Sequence, residues 1–591
     1  MCGIAGIVNY RVHAENLAPR ARVLCDKLYH RGPDEQNIIA FPNIIMVHTR
    51  LALLDLARGQ QPYVSTDQRY IISYNGEVYN YRELRKQLEK NWLFKTDSDT
   101  EVILAAYAHW GERCLNYFNG MFAFFIWDSV KNEGFAARDL LGIKPFVYQY
   151  KSGEFIFSSE AKAIVAIQSS SPMVNRSAII EYIAAPYFSG VETSLFEGLE
   201  YLQPGHSLKI SKQGIYSTQW GDYELSASLT DNKKTTEAMS ELLLNAVQQA
   251  MISDAPVGTY LSGGFDSTLI TAIAHKHAEK KLGVFTIKFT DQDKFDYNNS
   301  LIVTSDDTPY AISAAKQIGV KQRIISVNRS EVMDTIKKIS CTNDALPVWE
   351  QEIAQHHLAR IAALDYKAIL TGDAADETHY GYPFLLDEQV TASPSAILQR
   401  FSVPPLKPEL KNNLLAFFDD KYKTLTKAAG HSWTTPLDRH LATTYLIVKR
   451  WLPRLLHNGD VHAMQHSLEA RVPFADINLL NMAKRVHPAS GYRNGTEKWL
   501  LRQSAKGLLP ESSRLRKKSA LPKDQGAGKL YKASAATLFK SHKVFLENFF
   551  DMKQMQMLCR SDTLLSEQQR ALLFRTISLC HWCDYYGVNI R

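Results

Sequence analysis

The stretch Val257-Gly258-Thr259-Tyr260-Leu261-Ser262-Gly263-Gly264-Phe265-Asp266-Ser267 decides how the larger part of this chain folds. An apolar run enters a turn of small residues, a helix-like segment follows to about 279, and a second apolar run, Val284-Phe285-Thr286-Ile287, comes next. Strand, glycine turn, helix and strand in that order make a βαβ unit of a parallel, doubly wound sheet. A third strand, Ala368-Ile369-Leu370, also ends in a tight turn. The turn at Ser262–Ser267 leaves backbone N–H groups and a helix N-terminus open to an anion, so it reads as a phosphate cradle. It fits neither the GxxxxGK[ST] pattern nor the dinucleotide fingerprint GxGxxG.

Working outward, the first 210 residues are short β-rich runs: 38–40, 44–47, 70–74, 121–127 and 154–157. Turn residues such as Asn75-Gly76 and Lys151-Ser152-Gly153 separate them, and helical patterns intervene near 81–90 and 99–110, which predicts two sheets with helices on their faces. The stretch 290–308 is polar and reads as a loop; from about 380 the pattern is helical, apolar and basic, without repeats. The chain has 591 residues, 45% hydrophobic and 22% charged, so it is long enough for several domains and has a globular composition. A net charge of +7 argues against nucleic acid as the main partner. No apolar run is long enough to span a membrane and the N-terminus lacks the features of a signal peptide, so the expected compartment is the cytoplasm. Seven scattered cysteines fit reduced thiols, and the lone pair Cys580/Cys583 reads as helix packing in preference to a metal or redox site.

Cys2 stands before a small Gly3, a context that favours removal of Met1. The thiol would then sit beside a free α-amine whose pKa, near 8, suits it as the cysteine's own base. Four further segments follow in order: His30-Arg31-Gly32-Pro33-Asp34, His48-Thr49-Arg50-Leu51, Tyr74-Asn75-Gly76-Glu77-Val78-Tyr79-Asn80 and Ser98-Asp99-Thr100-Glu101. With Met1-Cys2-Gly3-Ile4-Ala5-Gly6-Ile7 they resemble the glutaminase domain of class II, N-terminal-nucleophile glutamine amidotransferases. The resemblance implies that Cys2 attacks the glutamine side-chain amide, that the Asn75 side chain and Gly76 N–H form the oxyanion hole, and that Arg50, beside Leu51, holds the α-carboxylate. Glu77 or Asp99 would take the ammonium group. Taken singly, Asn75-Gly76 also reads as a plain hairpin turn and Asp99 as a helix N-cap. Arg138–Pro145 and Phe157–Lys162 also match the family and read as architecture.

The Ser262–Ser267 turn is similar to the SGGxDS loop of ATP-pyrophosphatases. Thr371-Gly372-Asp373-Ala374-Ala375-Asp376-Glu377, Ser467–Phe474 and Arg516-Lys517-Lys518 resemble further blocks of asparagine synthetase-like enzymes. The implied fold is an Ntn-hydrolase αββα sandwich (1–212) followed by a doubly wound ATP-pyrophosphatase domain with a helical C-terminal part (213–591). The implied reaction adenylates a carboxylate, aspartate by default, and transfers ammonia from glutamine to it. ATP would lie against Leu261, Ser262, Gly263, Gly264, Asp266, Ser267, Ile287, Thr371 and Gly372, with Asp373 and Lys518 catalytic and Asp266 and Asp376 near Mg²⁺. The implied partners are glutamine, ATP and the carboxylate acceptor, with homodimerisation open and neither nucleic acid nor membrane expected.

The resemblance thins after Asp344, where the chain reads Ala345-Leu346-Pro347-Val348-Trp349-Glu350-Gln351-Glu352. Trp349, Glu350 and Glu352 occupy the expected acceptor pocket, and like charge there repels an aspartate carboxylate. Ala374-Ala375 adds β-carbons to a turn that approaches substrate. Both departures point to a different carboxylate, one whose amine pairs with Glu350 or Glu352; the competing expectation is that these residues pack in a helix away from the pocket. An adenylating cyclase of the β-lactam synthetase type is the second enzyme reading, against which the complete Cys2, Arg50, Asn75 and Asp99 set weighs.

Overall fold

A computed structural model describes residues 2–190, 192–295, 297, 303, 305–342, 345–401, 404–560 and 564–588. Met1, Asp344 and much of the polar 290–308 stretch lie outside the described residues; within that stretch Gln292–Lys294 forms a short helical turn and Thr308 begins a helix.

Two six-stranded sheets build the N-terminal part. The first runs, neighbour to neighbour, Glu200–Tyr201, Val147–Lys151, Glu154–Ser158, Gly3–Asn9, Ile44–Arg50 and Glu35–Phe41. The second runs Gly214–Gln219, His206–Ser211, Glu133–Arg138, Gly120–Asp128, Tyr70–Val78 and Tyr63–Val64. Strand Gly214–Gln219 thus extends the second sheet past the boundary expected at 212. All pairings between these strands are antiparallel. Ile4, Val8 and Met46 of one sheet meet Ile71, Phe125 and Trp127 of the other in a shared core, and the rings of Phe125 and Phe157 stack 4.3 Å apart across it. Helix Ala18–Leu28 packs on the first sheet, and Asp99–Trp110 covers the second. The layers are therefore αββα.

Asn75-Gly76 is not a turn. It lies within strand Tyr70–Val78, paired with Ala123 and Phe122 of the neighbouring strand. Gly76 has φ +152°, and a β-carbon there would stand 2.1 Å from the Met121 carbonyl oxygen. Glycine is thus required by a close backbone approach in mid-strand, where sequence alone suggests a reversal. The Lys151-Ser152-Gly153 turn is found where expected, with positive φ at Ser152 and Gly153.

The second part carries a five-stranded, all-parallel sheet in the order Gln322–Val327, Gly283–Phe289, Val257–Tyr260, Ala368–Leu370, Glu469–Arg471. Val257–Tyr260 is followed by helix Phe265–His277 and then by its parallel neighbour, the expected βαβ unit. The order reverses direction at Val257–Tyr260, since the chain builds outward first on one side and then on the other. A crevice opens at such a switch point beyond the carboxyl ends of the strands, which is where this architecture binds ligands. Beyond 380 the described residues are mainly helical. Cys580 and Cys583 are buried on helix Glu567–Tyr586, and burial pushes both thiols up. No described helix is long and apolar enough to cross a membrane.

Candidate active site

Cys2 enters the first strand at the interface of the two parts and is buried. Its backbone nitrogen donates to Asn75 Oδ1 at 3.1 Å, and its carbonyl accepts from Arg31 Nε at 3.1 Å. Gly3 is needed next to it, because a β-carbon would meet Thr49 Oγ1 at 2.5 Å. Burial pushes the Cys2 thiol up, and the Leu51 backbone amide and Arg50 counter it only in part. The nucleophile therefore needs a base at hand. Asn75 is fully buried and its Nδ2 has no hydrogen-bond partner. A buried amide N–H2 left open beside a buried thiol is a donor waiting for an oxygen.

Asp99 is the first residue of helix Asp99–Trp110, after Ser98 at the cap position, so it is not the N-cap. Its Oδ2 accepts from the Tyr74 hydroxyl at 2.8 Å and from the Val78 amide at 2.9 Å. Burial carries its carboxyl up to about 6 against those bonds. Glu77 behaves differently: it faces Arg471 at 3.0 Å, and Arg471 is shared with Glu469 at 2.5 Å. Against its burial, the positive charges around Glu469, Arg471 and Lys144 among them, hold it ionised, down at about 2, while burial pushes Glu77 well up. Asp99 is accordingly the better anion for a substrate ammonium. Arg50 is buried and donates to Glu35 at 2.6 Å and to the Leu54, Asp55 and Leu56 carbonyls. Its guanidinium is held in place by these acceptors, so a substrate carboxylate would have to join or replace them.

The second centre is a cavity of about 670 Å³ at the switch point. Leu261, Ser262, Gly264, Asp266, Ser267, Ile287, Thr371, Gly372, Asp373, Asp376 and Lys518 all line it. Gly263 does not; its φ is +74° and a β-carbon would stand 2.3 Å from the Ala311 nitrogen, so it seats the turn on helix Thr308–Ile318. Ser267 Oγ accepts from the Ser262 amide at 3.1 Å and lies 2.8 Å from Ser262 Oγ, which fixes the turn from inside.

Sequence reasoning missed the group at the centre of this cavity, Lys498. Its Nζ lies 2.5 Å from Asp266 Oδ2 and 2.6 Å from Asp376 Oδ1, and Lys518 Nζ lies 2.5 Å from Asp376 Oδ2. Burial raises Asp376, but the two ammoniums hold it lower, at about 2; burial pushes Asp266 up, against Lys498. Lys498 is 1% exposed and sits at φ +53°. A non-glycine residue in the left-handed region is strained, and the ion pairs around Lys498 hold it there. Arg516, of the basic cluster, donates to the Ser262 carbonyl at 3.4 Å and to Asp307, tying the cluster to the cradle. Ala374 also lines the cavity in the left-handed region, at φ +71°, so the added β-carbon is borne at a cost in backbone strain.

The expected acceptor residues divide. Trp349 and Glu352 line the cavity, whereas Glu350 does not: it pairs with Arg570 at 3.0 Å and Lys523 at 3.3 Å on the far side. Glu352 Oε1 accepts from the Val348 and Trp349 amides at 2.6 and 3.0 Å, and its Oε2 lies 2.9 Å from His462. Glu350 is thus paired with two cations away from the cavity, while Glu352 faces it with both oxygens already accepting or beside His462.

The two centres share an interface made of charged groups. Arg31 bonds Glu160 and Asp460, each at 2.8 Å, while Asp34 meets Lys367 at 2.6 Å. Arg138 and Asp139 bond surrounding backbone carbonyls and amides, the architectural role expected of them.

Residues 1–221 match a family model described as a glutamine amidotransferase domain, and residues 238–584 match one described as asparagine synthase. The chain is 31% identical to the glutamine-hydrolysing asparagine synthetase 3 of Bacillus subtilis, across 88% of this chain and 87% of that protein. It is 28% identical to asparagine synthetase B of Escherichia coli, across 88% of this chain and 81% of that one. With two model matches that leave little of the sequence uncovered and relatives that span both parts, the chain belongs to the glutamine-hydrolysing asparagine synthetase family of carbon–nitrogen ligases.

Proposed function

We propose that this protein hydrolyses glutamine at Cys2 and uses the ammonia to amidate a carboxylate that it activates with ATP. The observation that carries the reading is the presence, in one chain and across one charged interface, of a buried thiol beside an open amide donor and of a phosphate cradle flanked by lysines. After removal of Met1, the Cys2 α-amine takes the thiol proton and Sγ attacks the amide carbon of glutamine. Asn75 Nδ2 and the Gly76 N–H bind the oxygen as it gains charge, ammonia leaves, and water then cleaves the thioester to glutamate. In the cavity an acid oxygen attacks the α-phosphorus of ATP and pyrophosphate departs toward Lys498 and Lys518. Ammonia then attacks the acyl carbon and AMP leaves. Passage through the interior keeps water from both intermediates.

Asp266 Oδ1 is buried without a hydrogen-bond partner, and Asp376 lies across Lys498 from it. Two carboxylates with phosphate oxygens to complete the shell suit Mg²⁺, so Asp266 and Asp376 are the residues that would hold it. The ion would offset charge on the phosphates. The relatives' names make aspartate the reference acceptor. The test is glutamate and pyrophosphate measured in one reaction: Cys2→Ala is expected to lose glutamate formation and to keep ammonium-supported pyrophosphate release. Loss of both would overturn the two-centre reading.

A further inference from the structure

The cavity continues past the cradle into a wall of aromatic rings. Tyr187 stacks on Trp451 with centroids 4.8 Å apart and lies 5.1 Å from Trp349, while Tyr382 sits 5.6 Å from Trp451 and 5.2 Å from Phe384. All five line the same cavity, and they come from four separate stretches of chain, Tyr187 from the N-terminal part. Two neutral groups at this end lack partners, and the Arg400 guanidinium lies over Phe384, 5.3 Å from its centroid. Asn458 is 1% exposed with neither side-chain atom hydrogen-bonded, and Gln355 Oε1 is buried without a partner. The acidic groups nearby already hold partners: Glu352 accepts from two amides and lies beside His462, and one oxygen of Glu377 accepts from the Tyr382 hydroxyl. A small α-amino acid would have to share one of these carboxylates for its ammonium and gains little from an aromatic wall. A flat apolar body gains most from such rings, and an N–H on it would meet Gln355.

We propose that the acceptor is a carboxylic acid with an aromatic or bulky apolar body, seated against the cavity side of Trp349, Tyr187 and Trp451 with its carboxylate toward the cradle, and not aspartate. The proposal rests on the reading of this cavity as the place where a carboxylate is adenylated. It makes Trp349 and Trp451 the residues that set specificity.

The test uses the full chain with Mg-ATP and ammonium chloride, and compares pyrophosphate release with indole-3-propanoate, 3-phenylpropanoate and aspartate, alongside equilibrium dialysis of indole-3-propanoate. The expected result is a kcat/KM for the indole acid at least about tenfold above that for aspartate, the size of one good aromatic contact. Trp451→Ala should lose about that tenfold preference and Trp451→Phe should keep most of it, with glutamine hydrolysis at Cys2 as the check that each variant is folded. Equal or better turnover of aspartate overturns the proposal and leaves the amide-synthetase reading standing. Binding of the indole acid without pyrophosphate from any acid keeps the pocket and overturns the reading of the reaction. Neither binding nor release overturns both.

Discussion

The glutamine centre and the ATP cavity both hold a reacting atom against fixed donors, but they use the chain in opposite ways. Cys2, Arg50, Asn75, Gly76 and Asp99 come from the first hundred or so residues, and most lie on strands that pair within one sandwich. The cavity draws Asp266 and Asp376 from the first turns of two helices and Lys498 and Lys518 from segments far away in sequence, and its ring-lined end adds Tyr187 and Trp451. A centre built on paired strands has its spacing dictated by the sheet, so it tolerates little change. A centre assembled from separate helix ends and connections can alter one wall while the other stays fixed. The difference teaches that the reaction type and the acceptor are written in separate parts of this molecule.

The sharpest way to break that contrast is Cys2→Ala. Glutamine-dependent synthesis should vanish while ammonium-dependent pyrophosphate release stays within about twofold of wild type, since nothing between the sites is removed but one thiol. Next is Lys498→Ala, which leaves Asp266 and Asp376 facing each other. Pyrophosphate release should fall at least about 10³-fold, with glutamine hydrolysis retained, as steady-state assays of the two half-reactions would reveal. Asn75→Ala removes the open donor and should cost about 10²–10³-fold in kcat for glutamine hydrolysis, the usual loss for one oxyanion donor; an unchanged kcat would take Asn75 out of the oxyanion hole.

The smallest effect is a pH dependence. Burial lifts Asp99 to about 6, so it is mainly ionised at pH 7.5 and mainly protonated at pH 5. A neutral Asp99 cannot pair with the glutamine ammonium, so KM for glutamine should rise about tenfold between those values as pH falls through about 6. Asp99→Asn should show the high KM at both. A KM that is flat with pH in wild type would hand the ammonium to another group.

How far each centre can be read from sequence follows from the same difference. The motifs around Cys2, Arg50, Asn75 and Asp99 are local, so their types and order suffice to place them; what could not be seen was that Asn75-Gly76 lies in mid-strand, because the demand for glycine comes from Met121 on a neighbouring strand. The Ser262–Ser267 turn was legible for the same reason, as a strand, turn and helix contiguous in the chain. Lys498 was not, since its role depends on two aspartates far away in sequence. Glu350 and Glu352 are two residues apart on a helix start, and only packing shows that one meets Arg570 and Lys523 while the other faces the cavity.

The central claim is that nitrogen leaving glutamine at Cys2 ends in an amide made at the ATP cavity. It is tested most directly by incubating the full chain with glutamine labelled with ¹⁵N at its side-chain amide, Mg-ATP and the acids named above, and following ¹⁵N, AMP and pyrophosphate together. The account predicts one labelled amide and one AMP per pyrophosphate released. AMP and pyrophosphate appearing without ¹⁵N in the product, as a cyclase using an internal amine would give, would contradict it.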